Sequence, residues 1–187
     1  MSASTALPAA PQRPSLAFVF GHPLHAIALG FGSGLSRWAP GTAGTLFGWA
    51  SFVALQPLLR TPWHAALLLA AGLALGCWAC TVAARDLGIA DPGCIVWDEV
   101  LAFWLVLWLV LPAGWLAQCV AFALFRFFDA AKPGPVAWAD KRFKPRRDAD
   151  GALRIGWRQG VGIMLDDLVA ALCTLLVIAL WRFVFTP

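Results

Sequence analysis

Charged residues divide this chain into long apolar runs, and the breaks between the runs predict its elements. Four stretches carry no Asp, Glu, Lys or Arg: residues 38–59, 61–84, 100–125 and 168–181. Each reads as helix at membrane depth, since about 20 apolar residues cross a hydrocarbon layer of about 30 Å. The run 61–84 is the cleanest of them. The run 14–36 is also uncharged, but Pro23 and several glycines interrupt it. It reads as a protein-packed or interfacial helix and loop.

The run 100–125 allows two readings. One helix of 26 residues is about 39 Å long and crosses with tilt. Alternatively Pro112-Ala113-Gly114 is a turn between two helices, each about 21 Å long. Parity selects this hairpin. If Arg37 is inside, the first span leaves near Arg60 and the second returns near Arg85. Asp98 and Glu99 then lie inside, and the hairpin brings Arg126 and the following basic segment back to that side. Asp166 and Asp167 end there too, just before the last span. Every charged cluster converges on one face, and a single long helix would scatter them.

Composition agrees with a membrane setting. The chain is 60% hydrophobic and 13% charged, with a mean hydropathy of +0.74, against about 45–50% and about 25% for soluble domains. The prediction is an all-α, polytopic helical bundle with short or broken helices. Residues 1–15, rich in Pro, Ala and Ser, are expected to be a disordered tail, with no cleaved signal peptide. Residues 16–187 then form a single domain.

The net charge of +4 is local. Nine Lys/Arg and four Asp fall between Arg126 and Arg158, and a basic loop is expected at about 133–165. Such a loop suits the cytoplasmic side and anionic headgroups. Nucleic acid is excluded as a partner, because no separate basic domain exists. Cys77 and Cys80 lie in an apolar run with no second pair or histidine cluster, so they read as buried small side chains. His22 and His25 flank Pro23 and read as structural. The segment Asp148-Ala149-Asp150-Gly151 follows basic residues rather than an apolar strand and reads as a polar turn. No Cys-x5-Arg nucleophile loop is present.

Four clusters could carry chemistry: RWAPGTAGT (37–45), WDEV (97–100), FRFFDAAKPGP (125–135) and GVGIMLDDLVAA (160–171). Arg126, Asp129 and Lys132, spaced i, i+3, i+6, would share one helical stripe. The acidic pairs Asp98-Glu99 and Asp166-Asp167 each open an apolar run. Helix capping explains one acid at such a place, but not two at both. Carboxylates gathered at a membrane face are best relieved by a divalent cation, and oxygen-only ligands select a hard ion such as Mg²⁺. The Gly41–Thr45 segment, with Thr42 and Thr45, could offer N–H groups and hydroxyls to a phosphate. It is not a Walker loop, since no Lys follows the glycines.

These four segments, in this order, resemble the phosphatidylglycerophosphatase A family, the bacterial enzymes that convert phosphatidylglycerophosphate to phosphatidylglycerol. The resemblance extends from Arg37 to about Ala171. It implies a helical inner-membrane enzyme, multi-pass, with its site facing the cytoplasm, and Mg²⁺-dependent hydrolysis of a phosphate monoester. It points to Asp98, Glu99, Asp129, Asp166 and Asp167 as the acids. Lys132 and Arg126 become phosphate partners, with Arg37, Thr42 and Thr45 beside them. Ala102 and Ala171 stand where such proteins often have Gly, and residues 144–159 form a longer, more basic link than usual. Two other readings stay open: a phosphatase of phosphatidic acid or an isoprenoid phosphate, and a small transporter. Oligomeric state is left open.

Overall fold

The computed structural model describes residues 14–143 and 155–185. Residues 1–13 of the expected tail, the turn at 148–151 and most of the basic link lie outside the described residues. Eight α-helices follow in order: α1 (Leu16–Gly21), α2 (Pro23–Ala28), α3 (Pro40–Leu55), α4 (Pro62–Leu87), α5 (Trp97–Val110), α6 (Trp115–Ala131), α7 (Pro135–Arg142) and α8 (Trp157–Phe185). Short 3-10 turns, Gly30–Leu35 and Gln56–Leu58, flank α3. No strand occurs among the described residues, so the fold is all-α as expected.

Local chemistry sets the ends. Proline occupies the first turn of α2, α3, α4 and α7, where its missing N–H is not needed and its fixed φ suits a helix. Gly88 ends α4 in the left-handed conformation, φ +66°, and its N–H bonds the carbonyls of Ala84 and Arg85. The predicted hairpin is present. Leu111 and Gly114 are extended around Pro112, and α5 and α6 pack side by side as helices of 14 and 17 residues.

Two expected boundaries move. The run 38–59 becomes a helix of only 16 residues, about 24 Å long, because Pro57 enters a 3-10 turn. It does not reach the crossing length. Among the described residues only α4 and α8 are long and apolar enough to cross a membrane. The last run is the C-terminal part of a 29-residue helix that begins at Trp157. Gly160 and Gly162 do not interrupt that helix; they let it approach its neighbours. A Cβ on Gly160 would lie 2.1 Å from the Cys77 carbonyl oxygen, and one on Gly162 would lie 2.5 Å from the Phe143 Cβ.

Helix α5 is the centre. Val100, Leu101, Ala102, Phe103, Trp104, Val106 and Leu107 are all buried, as expected for a helix apolar on every side. Glycines bring its neighbours close: Gly72 and Gly76 of α4 face Leu101 and Trp97, and Gly44 and Gly48 of α3 face Val96 and Val100. The buried indoles find acceptors. Trp97 Nε1 donates to the Gly72 carbonyl at 3.0 Å and Trp104 Nε1 to the Gly48 carbonyl at 2.9 Å. Ala102 and Ala171 are wholly buried, so a methyl group fits at both positions.

These contacts fix the directions. Gly76 meets Met164 and Cys77 meets Gly160, so α4 and α8 are antiparallel. Gly72 meets Leu101, while Arg60 and Pro62 share a depression with Leu111 and Pro112. Thus Arg60, the Pro112 turn and Trp115 lie at one end of the bundle. The starts of α3, α5 and α8 and the ends of α4 and α6 lie at the other.

Gly160→Ala is expected to destabilise the protein by about 1–3 kcal/mol, the usual cost of overpacking, because backbone rather than a flexible side chain stands in the way. Gly156→Ala meets nothing within 4 Å and should melt as wild type does in the same detergent. Equal melting temperatures for the two variants would count against this packing.

Candidate active site

The acids arrive from three helices. Asp98 and Glu99 stand in the first turn of α5, Asp129 in the last turn of α6, and Asp166 and Asp167 in the third turn of α8. The last placement decides a point the sequence left open. Nine residues into a helix, Asp166 and Asp167 cannot cap it. Asp98 and Glu99 do not cap by side chain either, since the N-cap of α5 is Val96 and makes no side-chain bond.

All five acids line one cavity of about 150 Å³, with Lys132, Asp140 and the loop 90–95. Carboxylate oxygens of Asp98, Glu99 and Asp167 lie within 4.8 Å of one another. One oxygen of each is buried without any hydrogen-bond partner: Asp98 Oδ1, Glu99 Oε2 and Asp167 Oδ2. Buried polar atoms are nearly always paired. Three orphaned oxygens, all on acids and all at one cavity, call for a cation. The donor set is oxygen only, which fits a hard divalent ion. The residues present therefore fit the expected Mg²⁺.

Two cations engage the acids. Arg126 Nη1 donates to Asp129 and lies 3.8 Å from Glu99 Oε1. It also donates to Thr45 Oγ1 at 3.4 Å. Asp129 in turn lies beside Asp167, which places the arginine next to the acidic trio. Gly41 makes room for this arrangement, because a Cβ there would lie 2.3 Å from Glu99 Oε1 and 3.0 Å from Arg126 Nη1.

Lys132 departs from the expected stripe. It ends α6 in the left-handed conformation, φ +44°, so its side chain leaves the helix face that carries Arg126 and Asp129. Its Nζ donates to Asp140 Oδ1 at 2.7 Å and Asp166 Oδ2 at 2.5 Å, tying α7 to α8. Burial alone would lower its pKa, but hydrogen bonds and attraction from these two carboxylates outweigh it and raise the pKa well above that of a free lysine. A raised cationic pKa contributes stability in full below the unfolded value, near 10.4, and loses it as pH rises through the folded value. Lys132→Met is therefore expected to cost about 2 kcal/mol, discounted from a fully buried pair because the side chain is 33% exposed. The melting-temperature difference from wild type should stay constant from pH 7 to 10 and shrink above that. A difference that fades below pH 9 would contradict it.

The remaining expectations divide. The Gly41–Thr45 segment is not an open loop: it forms the first turns of α3, since Pro40 starts the helix. Thr45 is buried and donates to the Gly41 carbonyl at 2.8 Å, so it holds Arg126 rather than lining the cavity. Thr42 is half-buried and also outside the lining. Arg37 is exposed and borders a neighbouring depression. Of the expected phosphate partners, only Lys132 lines the acidic cavity.

Asp140 was missed. It lies eight residues from Lys132, across a helix break, and no spacing rule joins the two. Asp91, also on the lining, was missed for the same reason. The histidines have structural roles, as expected. His22 Nδ1 accepts from the Leu24 N–H at 3.2 Å and so caps α2, and His25 Nε2 lies 2.7 Å from Asp86 Oδ2. Cys77 and Cys80 are free thiols on α4.

The family model described as Phosphatidylglycerophosphatase A matches residues 26–182. A Haemophilus influenzae protein named Phosphatidylglycerophosphatase A is 38% identical over 157 residues, covering 84% of this chain and 87% of the relative. The Escherichia coli protein of the same name is 36% identical over 150 residues, covering 80% and 77%. A Bacteroides thetaiotaomicron protein named "Putative phosphatidylinositol-3-phosphatase" is 34% identical over 164 residues, covering 84% and 92%. No solved structure matches the chain.

Proposed function

The chain belongs to the phosphatidylglycerophosphatase A family, and from that premise we propose that it hydrolyses phosphatidylglycerophosphate to phosphatidylglycerol and phosphate, with Mg²⁺ held by Asp98, Glu99 and Asp167. The observation that carries this reading is the trio of orphaned carboxylate oxygens at the cavity. Seven acids and one lysine line that cavity, a surface that repels a phosphate unless added cations offset it. Bound there, Mg²⁺ would supply the missing positive charge to the phosphoryl oxygens and to the attacking water.

The chain's own residues do the rest. Lys132, cationic and fixed between Asp140 and Asp166, neutralises charge that grows on the phosphoryl oxygens. Asp129, beside Asp167 but outside the trio, accepts the proton of the attacking water. Arg126 orients Asp129 and Glu99 from behind. Thr45 holds Arg126.

The setting is the bacterial inner membrane, with the acidic cavity at the cytoplasmic face. Leu116, Leu172, Leu176, Leu180 and Phe183 are all more than half exposed on α6 and α8. Such a surface suits lipid better than water. Exposed Trp63, Trp115 and Trp181 lie toward one end and Trp38, Trp138 and Trp157 toward the other, as in the aromatic belts of membrane proteins.

The test is phosphate release by purified protein from phosphatidylglycerophosphate, phosphatidic acid and phosphatidylinositol 3-phosphate, each with and without Mg²⁺. Preferred turnover of the first with Mg²⁺ supports the reading; preference for another lipid, or release unaffected by chelation, rejects it. Single cysteines at Ala113 and Trp138 in a cysteine-free background should label from opposite sides of the membrane. Labelling from the same side rejects the orientation.

A further inference from the structure

A second depression, of about 230 Å³, adjoins the acidic cavity. Leu35, Ser36, Arg37, Pro40 and Cys94 line it, and Gly93 lines both spaces. The loop 90–95 is thus the partition between them. The two differ sharply in charge. The acidic cavity holds seven carboxylates, whereas the charged residue of the second is Arg37 alone.

Arg37 has no ion pair or hydrogen-bonded side-chain partner among the described residues. The two cations nearest the acids are already engaged: Arg126 by Asp129 and Glu99, and Lys132 by Asp140 and Asp166. Its neighbour Trp38 is 97% exposed, a residue type that settles at the headgroup level of a bilayer. In the orientation proposed above, the second depression stands at that level.

The substrate of the reading above carries two phosphates. A glycerol separates the terminal monoester from the diester that joins the headgroup to diacylglycerol. With the monoester in the acidic cavity, the diester lies one glycerol away, toward the membrane. We infer that Arg37 binds this diester phosphate across the Gly93 partition, and that the contact selects lipids with two phosphates over phosphatidic acid. Arginine suits the role, since its planar fork matches phosphate oxygens and keeps its charge at any working pH. The inference rests on the substrate reading. It replaces the expectation that Arg37 touches the transferred phosphate.

Kinetics in mixed micelles test it. Arg37→Ala should raise KM for phosphatidylglycerophosphate about tenfold and leave kcat within about twofold, the signature of lost binding that is equal in ground and transition states. The preference for this lipid over phosphatidic acid, as a ratio of kcat/KM, should fall by the same factor. Arg37→Lys should restore part of the loss. Gly93→Leu supplies an independent variant: a Cβ at Gly93 meets nothing within 4 Å, and the longer side chain stands at the partition and should raise KM likewise. An unchanged KM in Arg37→Ala, or a kcat that falls as far as kcat/KM, overturns the inference while wild-type turnover keeps the substrate reading intact. Absence of wild-type turnover overturns both.

Discussion

Asp167→Asn is expected to lower phosphate release by about a thousandfold and, measured in chelator, to raise the melting temperature. Asp167 is 2% exposed and belongs to the trio whose oxygens approach within 4.8 Å. Its Oδ2 has no partner, and its neighbours are Glu99, Asp129 and Asp166. An amide in the same volume removes one carboxylate and adds an N–H donor among acceptors. The apo protein thereby loses repulsion and gains a hydrogen bond, which is the usual form of a stability–activity trade-off. The active protein loses a ligand to the ion that offsets the phosphate's charge, and electrostatic losses at such sites run to about 10²–10³ in rate. A gain of about 1 kcal/mol would appear as about 2–4 °C in a chain of this size. Calorimetry or a dye-free fluorescence melt in detergent, with and without Mg²⁺, reads both effects. Wild-type activity in the variant, or a melting temperature lowered in chelator, would sink the cluster as described.

Gly41→Ala should be the second severe change, through geometry rather than charge. The added methyl carbon would stand 2.3 Å from Glu99 Oε1 and about 3 Å from both Arg126 Nη atoms. All three obstructing atoms are the ends of long side chains, so the backbone of α3 need not move. The fold is expected to survive, with a melting temperature within a few degrees of wild type. Glu99 and Arg126, however, must swing aside. Displacing positioned groups by an ångström can cost about 10² in rate, and that loss is expected here, chiefly in kcat. Gly44→Ala makes the contrast, because its methyl would meet the Val96 side chain at 2.5 Å and strain the α3–α5 contact instead. Full activity in Gly41→Ala would show that Glu99 does not need its present position.

The acids themselves were legible without coordinates. Charges are scarce in this chain, so Asp98-Glu99, Asp129 and Asp166-Asp167 stand out at the borders of apolar runs, and parity required them to meet. The hairpin at Pro112 was legible for a local reason, since Pro and Gly together end helices wherever they stand. Errors arose where glycine had two meanings. Gly41 and Gly44 suggested a phosphate loop, and Gly160 and Gly162 fell within the basic loop expected at about 133–165. All four are helical, and each marks a close approach to another element. A glycine that bends the chain and one that admits a neighbour look the same in a sequence, because the neighbour is distant along it.

Lys132 shows the same limit. Its spacing from Asp129 favoured one ladder along a helix, but the chain leaves the helix at that residue, with φ +44°, and the ammonium meets Asp140 and Asp166 instead. Residue type and spacing were enough to read an all-helical chain, a hairpin and the acids that converge, because these depend on hydrophobicity, turn chemistry and charge along the chain. Which acids touch, which lysine bridges them, and that Arg37 stands apart beside Gly93 depended on how α3, α5, α6 and α8 pack. Such contacts join residues tens of positions apart, and side-chain volume at the crossings sets them.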